Sequence, residues 1–175
     1  MRKSACSVRC AVVTGNLFVR EANIFLRIVT GEFDAVVSMW QSFCYFDEVT
    51  NAALLDQIHQ KLSPGGRFII DLFNRDYFEQ HQGVTYQDID GVSVETHTFM
   101  RGNRLHSVLQ YRKEDREIGG DHFEFQMFTA DEFCAFAMKC GFTPLLVCTW
   151  SNENLSPSPD VARMQIVLEK SGTKS

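Results

Sequence analysis

Two stretches decide how this sequence reads: Phe33-Asp34-Ala35-Val36-Val37-Ser38-Met39 and Arg67-Phe68-Ile69-Ile70-Asp71-Leu72-Phe73. Each is apolar through its centre and rich in β-branched or aromatic residues, the pattern of a parallel strand covered on both faces. Between them Leu54, Leu55, Ile58 and Leu62 recur at helical spacing and form one apolar stripe. Asp47 stands where its carboxylate can accept from the free amides of that helix's first turn. Ser63-Pro64-Gly65-Gly66 ends the helix, because Pro64 disfavours helical geometry in the residue before it and the glycines permit a sharp turn. Strand, helix and strand at these lengths make a βαβ unit with a right-handed crossover.

Outward from this unit the pattern changes. From Val84 to Phe128 apolar and polar residues alternate: Val92, Val94, Thr96 and Thr98 fall on one face, with Ser93, Glu95, His97 and Phe99 on the other. Arg101-Gly102-Asn103 reads as a turn, Arg104 to Lys113 as a returning antiparallel strand, and Phe123, Phe125 and Met127 as a third. The expectation is a three-stranded meander. Thr129 and Glu132 then form a T-x-x-E capping box, with Phe128 and Phe133 as a hydrophobic staple. Phe133, Phe136, Ala137 and Cys140 give the helical stripe, and Gly141 the C-terminal cap. Strands are expected over Pro144 to Trp150 and Val161 to Glu169, joined by the polar loop Ser151 to Asp160. Ahead of Phe33 the pattern reads as a short strand, Cys10 to Thr14, and a helix, Glu21 to Val29.

Composition narrows the function classes. The 175 residues carry a formal net charge of -5, whereas domains that neutralise phosphate backbones are usually basic. Nucleic acid is therefore not expected as a partner. Arg9 interrupts the N-terminal apolar residues, so neither a signal peptide nor a membrane span is read there, and a cytoplasmic location is the expectation. The cysteines Cys6, Cys10, Cys44, Cys134, Cys140 and Cys148 show no C-x-x-C spacing and read as reduced, partly buried thiols. His97, His106 and His122 all fall in the antiparallel region, where two of them can meet across strands. Half-buried histidine is the commoner outcome, and no metal site is assigned.

The segments Gly31 to Ser38, Tyr45-Phe46-Asp47 and Leu62 to Asp71 are together similar to the fourth and fifth strand region of class I S-adenosylmethionine-dependent methyltransferases. Phe128 to Phe133 followed by Cys140-Gly141-Phe142 resembles that family's last helix and its exit into the sixth strand, and Arg163 to Lys170 resembles the seventh. The order and spacing of the set, covering roughly Phe33 to Lys170, carry the resemblance more than any one piece. It implies an α/β fold: a Rossmann-like sheet of order 3-2-1-4-5-7-6, in one domain over residues 1–175. Residues 1–32 would be a divergent N-terminal segment and 84–128 an antiparallel β insertion.

The family's glycine-rich turn and its ribose-binding acid have no counterpart, since no G-x-G occurs ahead of Phe33. Val12 to Leu17 resembles the third strand and its following turn, so the first two strands are not found. Their absence would expose one edge of the fourth strand, which favours recruitment of another chain. Three outcomes follow: the N-terminal residues cover that edge, two chains pair across it as a homodimer, or the chain is a truncated part of a longer protein.

Ligands in open α/β sheets sit beyond the carboxyl ends of the parallel strands. The resemblance therefore implies S-adenosyl-L-methionine contacts at Ser38, Met39, Trp40 and Gln41. A pocket for a small-molecule methyl acceptor would be walled by the segment around Phe43 and by Asn74 and Arg75. Relatives often have glycine where Cys44 stands. Tyr45, Asp71 and Tyr77 are the candidate catalytic groups, as orienting or proton-accepting side chains. Simple packing is the competing role for both tyrosines. A non-catalytic methyltransferase-like binding or assembly module is the alternative to an enzyme.

Overall fold

A computed structural model describes residues 10–14, 31–114 and 116–171. Five strands form one sheet in the order β1-β2-β3-β9-β8: β1 Cys10–Thr14, β2 Phe33–Met39, β3 Leu62–Phe73, β8 Phe142–Cys148 and β9 Arg163–Lys170. β2 and β3 run parallel with Val37 beside Ile69, as the two deciding stretches require, and β9 pairs antiparallel with β3. From β2 outward this is the 4-5-7-6 order that the resemblance implies.

The edge of β2 is not bare. β1 pairs with it in parallel, Cys10 to Thr14 against Ala35 to Met39. Of the three outcomes, covering of the edge by N-terminal residues is the one observed. β1 takes the sheet position of the family's first strand, which corrects its reading as the third. The helix expected over Glu21 to Val29 lies outside the described residues.

One face of the sheet is the core. Helix α1 (Glu48–Lys61) connects β2 to β3, and α3 (Ala130–Lys139) precedes β8. Their apolar stripes cover Val36, Phe68, Ile70, Leu72, Met164, Ile166 and Leu168, each at most 1% exposed. Asp47 caps α1 as expected, its carboxylate accepting from Thr50 N at 2.8 Å. The capping box of α3 is complete in both directions, and the Phe128 and Phe133 rings meet at 5.5 Å. β3 begins directly after α1. The close turn needs Gly66, where a Cβ would lie 2.8 Å from Ser63 O.

The insertion is a second sheet with one strand more than expected: β4 Gly83–Ile89, β5 Val92–Arg101, β6 Arg104–Lys113 and β7 Arg116–Gln126, antiparallel in sequence order. The turn Asp90-Gly91, both at positive φ, is the missed signal, since Asp-Gly is a favoured two-residue hairpin turn. A short helix α2, Arg75–Gln80, links the two sheets. The second sheet's buried cluster is small. Leu105, Phe125 and Met127 pack with the half-buried Tyr45, Phe73, Phe78 and Met100.

Candidate cofactor crevice at the carboxyl ends of the parallel strands

The carboxyl ends of β1, β2 and β3 lie side by side, and the chain leaving β2 is sharply bent. Trp40, Gln41 and Cys44 all adopt the left-handed conformation, at φ of 58°, 56° and 77°. Such non-glycine residues cost roughly 1–3 kcal/mol each and persist where the surroundings hold them. The surroundings here are specific. Gln41, 3% exposed, accepts from Phe73 N at 2.6 Å and so ties the end of β2 to that of β3. Ser38 and Ser42 share a buried hydroxyl hydrogen bond of 2.7 Å. Gln126 N donates to Cys44 O at 2.7 Å, fastening the loop to the end of β7. Asn51 of α1 donates to both Phe46 O and Gln126 Oε1.

Trp40 is the exception, 72% exposed, with the Arg163 guanidinium 5.5 Å from its ring centre. The same guanidinium lies 5.0 Å from the centre of the Phe73 ring. Arg163 is held by Asp71, to whose Oδ2 it donates through Nη2 and to whose Oδ1 through Nε at 3.2 Å. Gln165 Nε2 donates to Asp71 Oδ1 at 2.7 Å, and Trp40 N to Oδ2 at 3.1 Å. Asp71 thus accepts four hydrogen bonds while 4% exposed. Its carboxylate anchors β9 and the crevice loop to β3, with protein donors at both of its oxygens. Arg163 and Gln165 were not singled out from sequence. The available signal was their spacing, two polar residues at i and i+2 on a strand whose other face is Met164, Ile166 and Leu168.

The other expected residues separate. Phe43, 2% exposed, packs edge-on against Phe133 in the main core and walls no open pocket. Asn74 is 1% exposed and fully engaged, donating to Ser158 O and Val161 O and capping α2 through Asp76 N. These bonds hold the loop before β9 to the end of β3. Arg75 grips Glu132 through Nη1 at 2.8 and 2.7 Å and lies 3.0 Å from Glu79. It borders an open groove of about 260 Å³ with Glu48, Gln126, Phe128, Glu132 and Lys139. Tyr77 stacks on His81 at 3.9 Å, and no hydrogen bond among the described residues joins it to Asp71 or Tyr45. Tyr45 packs on Phe125 at 4.7 Å, and its hydroxyl makes no hydrogen bond among the described residues. Burial pushes the Tyr45 phenol up from its ordinary value, which favours its protonated form.

At this strand end Trp40 presents an exposed indole beside Met39, on a loop tied to β3, β7 and α1. Ser38 and Gln41, expected to contact the cofactor, have their side chains turned to protein partners. Cys44 bears the mark of a glycine position, a buried residue at φ 77°.

Strand order, crossover and loop position define the fold of class I S-adenosylmethionine-dependent methyltransferases. Among solved structures the chain is similar to an S-adenosylmethionine-dependent methyltransferase from Clostridium acetobutylicum ATCC 824, with a TM-score of 0.72 and 14% identity over 93% of this chain and 75% of that one. It is also similar to the CcbJ methyltransferase from Streptomyces caelestis, TM-score 0.71 and 13% identity over 85% and 62% of the two chains. CalS10, an amino pentose methyltransferase from Micromonospora echinaspora, matches with a TM-score of 0.58 and 17% identity over 83% and 62%. The chain therefore spans less than two thirds of the length of two of these three structures. No family model matches the sequence, and no curated protein matches it.

Proposed function

We propose that this chain is an S-adenosyl-L-methionine-dependent methyltransferase acting on a small-molecule acceptor. The supporting observation is the crevice loop, held left-handed at Trp40, Gln41 and Cys44 and tied to β3, β7 and α1, at the point where three parallel strands end together. When bound, S-adenosyl-L-methionine supplies an electrophilic methyl group on a sulfonium, so positioning and exclusion of water provide most of the catalysis. Trp40 presents its indole to the adenosine end of the crevice, and Met39 lies beside it. Tyr45, whose hydroxyl has no hydrogen-bond partner among the described residues, orients the acceptor from the aromatic cluster of Phe73, Phe78 and Phe125. CalS10, an amino pentose methyltransferase, agrees with a small polar acceptor.

The homodimer expected across the edge of β2 would instead form across the outer edge of β1, which among the described residues pairs with β2 alone. Light scattering that gives a monomer at high concentration contradicts that part. A reducing cytoplasm suits the free thiols of Cys44, Cys134, Cys140 and Cys148. No helix among the described residues is long and apolar enough to cross a membrane.

A second reading, a non-catalytic binding or assembly module, is favoured by one observation: Ser38, Gln41, Asp71 and Asn74 are all committed to protein partners. Calorimetric titration with S-adenosyl-L-methionine separates the two. A dissociation constant in the micromolar range, about -8 kcal/mol, weakened at least tenfold by Trp40→Ala, supports the enzyme. No heat and no thermal shift with either the cofactor or its demethylated product leaves the module.

A further inference from the structure

The histidines of the second sheet are used neither by the fold nor by the proposed reaction. His106 on β6 and His122 on β7 approach until His106 Nδ1 and His122 Nε2 are 3.2 Å apart, with the rings within 16° of parallel. Phe99 of β5 stacks on His106 at 5.0 Å and 9°, which fixes the plane of that imidazole. Glu124 stands directly opposite His106 in the register. Its Oε2 is 3.9 Å from His106 Nδ1, while Oε1 accepts from Arg104 Nε. The His106 side chain is only 12% exposed, and His122 faces solvent.

Two imidazole nitrogens at this separation match one edge of a metal coordination shell. With metal–nitrogen bonds of about 2.0–2.1 Å in a tetrahedral arrangement, ligand nitrogens lie ~3.3 Å apart. Imidazole ligands suit zinc, nickel and copper, whereas magnesium and calcium take oxygen donors. We propose that His106 and His122 form a divalent transition-metal site that clamps β6 to β7. Without metal, one ring N–H donates to the other ring's lone pair. On binding, that proton moves to the donor ring's second nitrogen through solvent, both rings remain neutral, and both lone pairs turn onto the cation. The described residues hold no group of three or more His, Cys, Asp or Glu suited to a metal. The clamp therefore supplies two nitrogens and leaves the remaining positions to water, with the Glu124 carboxylate adding negative charge alongside.

The clamp has a structural consequence. Leu105 and Phe125, a cross-strand pair, immediately precede and follow His106 and Glu124, and face the Tyr45 cluster on the opposite side of the sheet. Metal binding stiffens the strand pair that backs this wall. The inference does not depend on methyl transfer, and its test reads metal alone.

Chelator-treated protein is followed by thermal unfolding at pH 7.5 while NiCl2, ZnCl2 or MgCl2 is added. Nickel and zinc are expected to raise Tm by about 3 °C in a saturable way, and magnesium to leave it unchanged. The rise is reversed by excess chelator. It is abolished in His106→Asn and in His122→Asn, and kept in His97→Asn. Far-UV circular dichroism confirms that each variant folds. If the half-buried His106→Asn does not, His122→Asn at the exposed position decides. No shift with either metal overturns the proposal, as does a shift that survives both substitutions or is accompanied by the thiolate charge-transfer absorption of a cobalt adduct.

Discussion

Strands β3 and β4 are separated in sequence by little more than the six-residue helix α2, yet they belong to different environments. In β3, Phe68, Ile70 and Leu72 are at most 1% exposed. In β4 all seven residues are exposed, with Tyr86 at 69%. The five-stranded sheet carries two helices on its core face and is specified by burial. The four-stranded sheet carries a cluster of three buried residues at one end and is specified by hairpin turns and cross-strand pairs. The crevice loop from Trp40 to Asp47 is the seam, fastened to both sheets. Strain is stored where the two building modes meet, which is also where the cofactor is proposed to bind.

The comparison is tested most severely by removing core volume. Phe133→Ala, at a fully buried ring on α3, is expected to cost about 3–5 kcal/mol in urea unfolding. Next comes the anchor of the crevice. Asp71→Asn leaves the Arg163 charge without its carboxylate partner, and with Arg163 partly exposed the loss is put at ~2 kcal/mol. It is also expected to weaken cofactor binding, because the new side-chain amide offers one acceptor oxygen in place of two to the donors of Trp40, Arg163 and Gln165. A loss of stability with unchanged binding would show that the anchor does not shape the crevice.

Cys44 sharpens the seam argument. Ordinarily Ala outranks Gly by roughly 0.5–1 kcal/mol. At φ 77° the order reverses, and Cys44→Gly is expected to be more stable than Cys44→Ala by about 1 kcal/mol. The smallest effect belongs to the second sheet: Tyr86→Ser on β4 stays within about 0.5 kcal/mol of wild type.

A pH series adds a test of the buried thiols. Desolvation raises the Cys44 thiol well above its ordinary value, and raises Cys134, Cys140 and Cys148 in the same direction. Groups whose folded pKa is raised contribute stability that is complete below the unfolded pKa, about 8.5 for cysteine, and lost as pH rises above it. The urea midpoint therefore falls between pH 8 and pH 10. An unchanged midpoint would mean these thiols are not desolvated.

Legibility in the sequence followed the same division. The runs around Val36 and Ile69, the stripe of α1 and the capping box at Thr129 were readable because burial imposes periodicity and helix ends need side-chain partners. β4 was not read as a strand, since no face of it is buried and only the Asp90-Gly91 turn marked it. Helix α2 is too short to show a stripe. At the site, the strand-end rule led to Trp40 and Asp71 but could not say what they do. That depends on Arg163 and Gln165, more than ninety residues further along and brought beside Asp71 by the pairing of β3 with β9. The strand Cys10 to Thr14 was readable, but its place beside β2 was not, because Val12 to Leu17 was matched to the family's third strand.

Amide hydrogen exchange with and without S-adenosylhomocysteine tests the central claim most directly. The account predicts ligand-dependent protection confined to residues 38–45 and 71–75, the rims of the crevice, with residues 83–100 of the second sheet unchanged. Protection confined to the second sheet, or no protection at all, would contradict it.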